Sequence, residues 1–342
     1  MTAKSSRRGI LKGAAAFSTA ACFPQLVRAQ ADAELSFPRP KHPGRLIEVR
    51  GKRLYVDVSG AETAPPLVYI HGGPGAGSYD FGLYQRELLS RHFRLVQFDQ
   101  RGALRSEPVA ADEAFSLSDL IEDTEALRVA LGISRWSVAC HSFGGLVALP
   151  YALAYPSAID RVVFENPSFD IGASDRSMLF LFARALREAG MVERADEALA
   201  AALKPATARE SWADFGRFGS ALGTRRRLDL YAPGLPPGYF FEWMRNSDLP
   251  ESNWLRGSGP SQATLWRDDR VFENMQPRLA DLKAPALLIK GRHDHNTSPD
   301  QIESFARLVS NGRLVVLEGS GHMTRAEEPQ RYADEVTRFL SA

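Results

Sequence analysis

Ser142, Asp294 and His322 are a hydroxyl, a carboxylate and an imidazole that follow, in that chain order, the ends of three apolar runs. Together they could perform acyl transfer. A serine hydroxyl is a poor nucleophile until a neutral imidazole takes its proton, and a carboxylate fixes the imidazole tautomer and stabilises the imidazolium that forms. The surroundings of Ser142 are the most informative. Residues 135–145 read RWSVACHSFGG: Trp136, Val138 and Cys140 have the period-two spacing of a strand, and Gly144-Gly145 opens the helical run LVALPYALAYP. A serine on a strand-to-helix corner is lifted above its sheet, next to helix N-terminal N–H groups that can hold an oxyanion. A serine before paired glycines can also be a plain helix cap. Cys140 stands where a G-x-S-x-G corner usually has its first glycine.

The other two members have competitors. His71 is a second histidine at a strand end, but it opens the Gly-rich turn HGGPG and is better placed to shape that turn than to accept a proton. Glu165 and Asp170 offer carboxylates after the preceding strand, and Asp294 could instead cap the helix that follows Pro299. His293 and His295 flank Asp294. Adjacent residues point apart, and no Cys, Asp or His set completes a coordination shell, so no metal and no cofactor is expected.

Elements able to position these groups can be read in order. RLIEVR and RLYVDVSG form a hairpin turned near Gly51-Lys52, and LVYI and FRLVQF are buried strands ending at His71-Gly72-Gly73-Pro74-Gly75 and Asp99-Gln100-Arg101-Gly102. SLSDLIEDTEALRVALGI is an amphipathic helix capped by Ser116 or Ser118, with Leu120, Ile121, Leu127 and Leu131 inward. The elbow strand, its helix and DRVVFENP follow. Strands alternating with helices predict a mostly parallel sheet flanked by helices. From about residue 168 to 275 the alternation stops. Met178, Leu181, Phe182, Ala185 and Leu186 recur at helical spacing, VERADEALAAALK is a second helix, and four of the five tryptophans (Trp212, Trp243, Trp254 and Trp266) fall here. They either line a pocket over the sheet or form the insertion's own core. Arg225-Arg226-Arg227 reads as a solvated helix face. PALLIKG and RLVVLEG then restore the strand pattern, before an amphipathic helix through Tyr332, Val336, Phe339 and Leu340.

The chain of 342 residues is 44% hydrophobic and 24% charged, with a formal charge of +1. Five basic residues and no acid lie in residues 1–31. The remainder is therefore mildly acidic, which gives no electrostatic reason to expect a nucleic-acid partner. Arg7-Arg8, the apolar GAAAFSTAACFPQLV and Ala29-Gln30-Ala31 occur in the order of a twin-arginine export signal with its cleavage site. The expectation is a periplasmic or secreted protein whose partner on the way out is the twin-arginine export machinery. Cys22 in TAAC hints at a lipid anchor, though Thr19 is a poor match to that pattern. After this segment no apolar stretch is long enough to span a membrane. Cys22 and Cys140 are the only cysteines, so a cleaved chain forms no internal disulfide.

HGGPG at 71–75, DQRG at 99–102, the serine elbow, GRHD at 291–294 and GSGH at 319–322 together resemble the prolyl iminopeptidase branch of the α/β-hydrolases. The resemblance implies an α/β-hydrolase fold with an inserted helical cap: core at 32–168, cap at 169–276, core again at 277–342. It implies the triad Ser142, Asp294 and His322, with oxyanion N–H groups from Gly73 and Phe143 and a structural Arg101. Two departures bear on substrate. The nucleophile sits in CHSFGG where that family commonly has GGSWG, as in esterase-like and lactonase-like relatives. The cap glutamates that bind a substrate amine in that family have no match in SWADFGRF or PPGYFFEWM, although Glu242 is a candidate amine ligand and Trp212 and Trp243 are candidate wall residues.

The expected activity is therefore metal-independent serine hydrolysis through an acyl-enzyme, on a small molecule or a short peptide. Release of an N-terminal prolyl residue is one reading, and cleavage of a small ester or lactone is the alternative. A ligand-binding protein that keeps the fold without catalysis is a reading from a different class. An epoxide or haloalkane hydrolase would need a carboxylate at the elbow, where serine stands.

Overall fold

A computed structural model describes residues 44–256 and 259–342. The export-signal expectation lies outside the described residues. Among the described residues eight strands form one sheet: β1 (Arg45–Val49), β2 (Lys52–Ser59), β3 (Pro66–Ile70), β4 (Arg94–Phe98), β5 (Trp136–His141), β6 (Ile159–Glu165), β7 (Ala286–Gly291) and β8 (Gly312–Leu317). Their spatial order is β1-β2-β4-β3-β5-β6-β7-β8. β1 and β2 pair antiparallel, as do β2 and β4, and the pairings from β4 through β8 are parallel. The first hairpin turns at Arg50-Gly51, both at positive φ, one residue earlier than the sequence suggests.

Strand alternation sorts the side chains onto two buried faces. Val68 and Ile70 of β3, Val138 and Cys140 of β5, and Ala286 and Leu288 of β7 join one apolar cluster. Leu67 and Tyr69, Ala139, and Leu287 and Ile289 join the other. Helices cover both clusters, so these strands read as continuous apolar runs. The helix Leu117–Ala130 begins with Ser116 and Asp119 as a reciprocal capping box, and Leu120, Ile121 and Leu127 are buried.

Neighbouring strands β4 and β5 lie on opposite sides of β3. The direction of winding thus reverses between β3 and β5, and the carboxyl ends of these two strands border the crevice where such sheets bind ligands. Those ends carry His71-Gly72-Gly73 and His141-Ser142.

Among the described residues between β6 and β7 lie seven α-helices and two short 3-10 helices, where two helices were legible in the sequence. Ile171–Glu188, Val192–Leu203 and Ala208–Leu222 pack around Met178, Phe182, Ala198 and Phe218. Asp170 caps the first, accepting from the Ala173 N–H at 3.1 Å. Thr207 and Glu210 form a capping box for the third. The four short helices that follow, the longest Thr224–Tyr231, are broken up by Pro233, Gly234, Pro236, Pro237, Gly238 and Pro250. Short helices gain little from their own hydrogen bonds, and here the first three share a cluster with Phe240, Trp243 and Trp254 while Leu265 of the last joins the main core. One correction falls in this region: Arg225 and Arg226 are exposed, but Arg227 is buried and so is not part of a solvated face.

Candidate active site

Ser142 follows β5 directly and has φ 55°. A non-glycine residue in the left-handed region carries strain that the surroundings must hold. Here the Ser142 N–H donates to the Glu165 carbonyl at 3.1 Å, and its own carbonyl accepts from Gly145 and Ser168 at 2.9 Å. The helix Gly144–Ala154 then leaves at once. A Cβ on Gly144 would lie 2.5 Å from the Ile70 carbonyl oxygen and 3.3 Å from the Cys140 Cβ. Glycine is thus needed at 144, and the fully buried Cys140 fits against it. Gly73, on the facing turn, has φ 115° and adjoins a cis Gly73-Pro74 bond. Gly73, Ser142 and Phe143 line a common cavity. Among the backbone hydrogen bonds of the described residues, neither the Gly73 nor the Phe143 N–H is a donor, which leaves both free to receive an oxyanion.

His322 lines the same cavity. Its Nδ1 is 2.9 Å from Asp294 Oδ1. Asp294 Oδ1 also accepts from the Asn296 N–H at 2.8 Å, and Oδ2 accepts from the Thr297 N–H at 3.0 Å. Lys290 Nζ stands 3.2 Å from Oδ2. Burial alone would raise the Asp294 carboxyl, but His322, Lys290 and the Thr297 amide outweigh it and hold the group well below the ordinary carboxylate range. An ionised Asp294 is an acceptor for an Nδ1–H, the tautomer that would put the ring's lone pair on Nε2. Ser298 occupies the N-cap of the next helix, so capping is not the task of Asp294.

The competing residues have structural partners. His71 is fully buried, with Nδ1 2.9 Å from the Gly72 carbonyl and Nε2 accepting from the Gln100 N–H at 2.9 Å. It joins the HGG and DQRG turns. Glu165 is engaged by Arg325 at 3.2 Å and by the Thr324 hydroxyl at 2.6 Å. Arg101 forms a buried two-point pair with Asp123, at 2.5 and 2.6 Å, and braces the loop after β4.

Two residues that the sequence reading did not single out hold His322 in place. His141 Nε2 lies 2.9 Å from the His322 carbonyl, and the two rings are 4.5 Å apart. Burial and the nearby Arg325 push His141 well below its ordinary value, so the ring is neutral and Nε2–H donates. Asn166, at φ 40°, donates from Nδ2 to the Gly321 and His322 carbonyls and accepts the Gly291 N–H. Their signal in the sequence was position alone: one precedes the nucleophile, the other follows β6.

Over Ser142 and His322 lies a cavity of about 170 Å³ whose walls include Trp212, Trp243, Trp254 and Trp266. All four cap tryptophans serve as walls. Glu242 does not: it is absent from the lining and pairs with Arg245 at 3.3 Å on the same helix, since position 242 lies on the side of Tyr239–Arg245 away from buried Phe240, Phe241, Trp243 and Met244. The amine-ligand expectation for Glu242 is therefore corrected.

Residues 65–329 match the model of the alpha/beta hydrolase fold family. The proline iminopeptidase of Heyndrickxia coagulans is 26% identical over 86% of this chain and 98% of its own. Among solved structures, a proline iminopeptidase-related protein from Thermus thermophilus superposes with a TM-score of 0.64 at 24% identity, over 86% of this chain and 96% of its own. An enol-lactonase from Burkholderia xenovorans superposes with a TM-score of 0.60 at 21% identity, over 87% of this chain and all of its own. The two structural likenesses speak to the fold. With the family match spanning most of the chain, over a sheet and a serine corner of this form, the protein belongs to the α/β-hydrolase family and is a hydrolase resembling the proline iminopeptidases.

Proposed function

We propose that the protein is a serine hydrolase that cleaves a small carboxylic ester, lactone or amide through an acyl-enzyme on Ser142. The observation that carries this reading is the shared cavity of Ser142 and His322, with His322 hydrogen-bonded to a carboxylate that stays ionised. In the first half-reaction Ser142 Oγ bonds to the substrate carbonyl carbon while its proton passes to His322 Nε2. The oxyanion is held by the Gly73 and Phe143 N–H groups, and its collapse expels the leaving group, which takes the proton from His322. Water repeats the sequence on the acyl-enzyme and regenerates the serine.

Likeness to a proline iminopeptidase favours release of an N-terminal residue. The position of Glu242 outside the cavity takes away the amine ligand that the sequence offered and leaves Asp80 and Asp175 as the carboxylate residues of the wall, so an ester or lactone stands beside the peptide as a substrate. Proline p-nitroanilide and p-nitrophenyl esters, compared on the wild type and Ser142→Ala, separate the two readings. The expected result is ester turnover and fluorophosphonate labelling in the wild type, both lost in the variant with a rate reduction of about 10³-fold or more. A folded wild type that fails to label would favour a non-catalytic binding protein.

A further inference from the structure

Lys290, near the end of β7, is 6% exposed, and its oxygen neighbours belong to the turn that carries Asp294. Nζ lies 2.7 Å from the Gly291 carbonyl oxygen, 2.6 Å from the Asp294 carbonyl oxygen and 3.2 Å from Asp294 Oδ2. Three oxygens around one nitrogen match the three donors of an ammonium, whereas a neutral amine has two N–H bonds and a lone pair that would face an oxygen. Burial pulls the Lys290 ammonium below its ordinary value, and Asp294 opposes the pull. The other oxygen of the same carboxylate faces His322, with Oδ1 2.9 Å from Nδ1. Asp294 thus stands between an ammonium and an imidazole, one against each oxygen.

We propose that Lys290 is a positioning residue that acts through Asp294: it closes the turn from which the carboxylate projects and, by sharing that carboxylate with His322, limits how strongly an imidazolium is stabilised there. This rests on the reading of His322 as the base that activates Ser142. Beside a lone carboxylate an imidazolium gains the full attraction of the pair, and beside a carboxylate already paired with a cation it gains less. The base then stays neutral, and able to take the serine proton, at lower pH. The other ionisable neighbours are fixed features of the site. His141 packs on the His322 ring as a neutral group, and the ring of Tyr231, whose hydroxyl burial raises, lies 5.1 Å away on the cap side. Glu327 accepts from the Gly321 and Met323 N–H groups on either side of His322, and Arg325 is engaged by Asp80 and Glu165. Next to Asp294 stand His295, which burial lowers, and Arg292, which is exposed and pairs with Glu318. Replacing Lys290 removes none of these charges, so a difference between variants reports the ammonium.

The test follows p-nitrophenyl acetate hydrolysis from pH of about 4 to about 9, read at the isosbestic wavelength of p-nitrophenol, with the rate of fluorophosphonate labelling of Ser142 over the same range. Wild type, Lys290→Gln, Lys290→Met and Lys290→Arg are compared. Glutamine keeps N–H donors for the carbonyl oxygens without the charge, methionine keeps neither, and arginine keeps the charge. The acid limb of kcat/KM and of labelling is expected to move to higher pH by about one pH unit in Lys290→Gln and Lys290→Met, and to stay at the wild-type position in Lys290→Arg. A lower plateau with the limb in place makes Lys290 a structural residue and overturns the proposal, as does a limb that moves to lower pH. NMR of the lysine side-chain nitrogens in the wild type needs no variant to fold: at pH of about 8 every lysine should be an ammonium, and a neutral amine signal overturns the proposal. A wild type that labels while the variants keep its limb leaves the hydrolase reading standing, and a wild type that fails to label overturns both.

Discussion

Asp175 and Asp294 are both buried aspartates that line or serve one cavity, yet their environments push them in opposite directions. Asp294 has His322, Lys290 and two backbone N–H groups, and stays ionised. Asp175 has an unpartnered oxygen, and burial, with Asp170 adding to it, pushes its carboxyl well above the ordinary range. The sign of the stability effect follows from linkage. An acid whose folded pKa lies above its unfolded value of about 3.9 destabilises the fold once pH rises past that value, and the cost stops growing only above the folded pKa. Asp175→Asn removes the titration. It should raise the melting temperature at pH of about 7, equivalent to about 1 kcal/mol or more, and give no gain at pH of about 3, where both states hold the proton. Scanning calorimetry of both proteins at the two pH values checks this, and equal melting temperatures at neutral pH would contradict a neutral buried acid.

Among the elements, the β5 strand, its corner and the helix Gly144–Ala154 form the unit on which catalysis would turn. Ala is ordinarily the better helix former, by about 1 kcal/mol over Gly. At 144 that preference is overruled, because the added Cβ would sit 2.5 Å from the backbone oxygen of Ile70 in β3. Backbone cannot rotate away as a flexible side chain can. Gly144→Ala should therefore destabilise by about 1–3 kcal/mol, measured as a lower urea midpoint, and should slow labelling of Ser142 by shifting the Phe143 N–H. A variant as stable and as reactive as the wild type would mean that the helix can tilt without disturbing the corner. The strands, the cap at Ser116 and this corner were all legible or nearly so, because they depend on neighbours within a few residues, whereas the Thr207 cap came only with the structure. The four short cap helices were not, since their proline and glycine interruptions erase periodicity, and packing of Phe240, Trp243 and Trp254 in one cluster and Leu265 in the main core replaces it.

At the scale of the whole molecule, export is a proposal carried by residues outside the described structure. Arg7-Arg8 before an apolar segment would direct a folded protein through the twin-arginine route. Changing both to lysine should move the full-length chain from the periplasmic to the cytoplasmic fraction of a bacterial host, and an unchanged distribution would remove the assignment. No helix among the described residues is long and apolar enough to cross a membrane. The sequence alone determined the strand alternation, the serine corner, and the order of hydroxyl, carboxylate and imidazole, since each is written in residue types at short spacing. Only the tertiary structure decided that Glu242 faces away while Asp175, Asn296 and four tryptophans share the cavity with Ser142, and that His141 and Asn166 grip the His322 backbone. The reason is physical: burial and hydrogen-bond partnership are properties of positions brought together across more than a hundred residues of chain, and no local spacing encodes them.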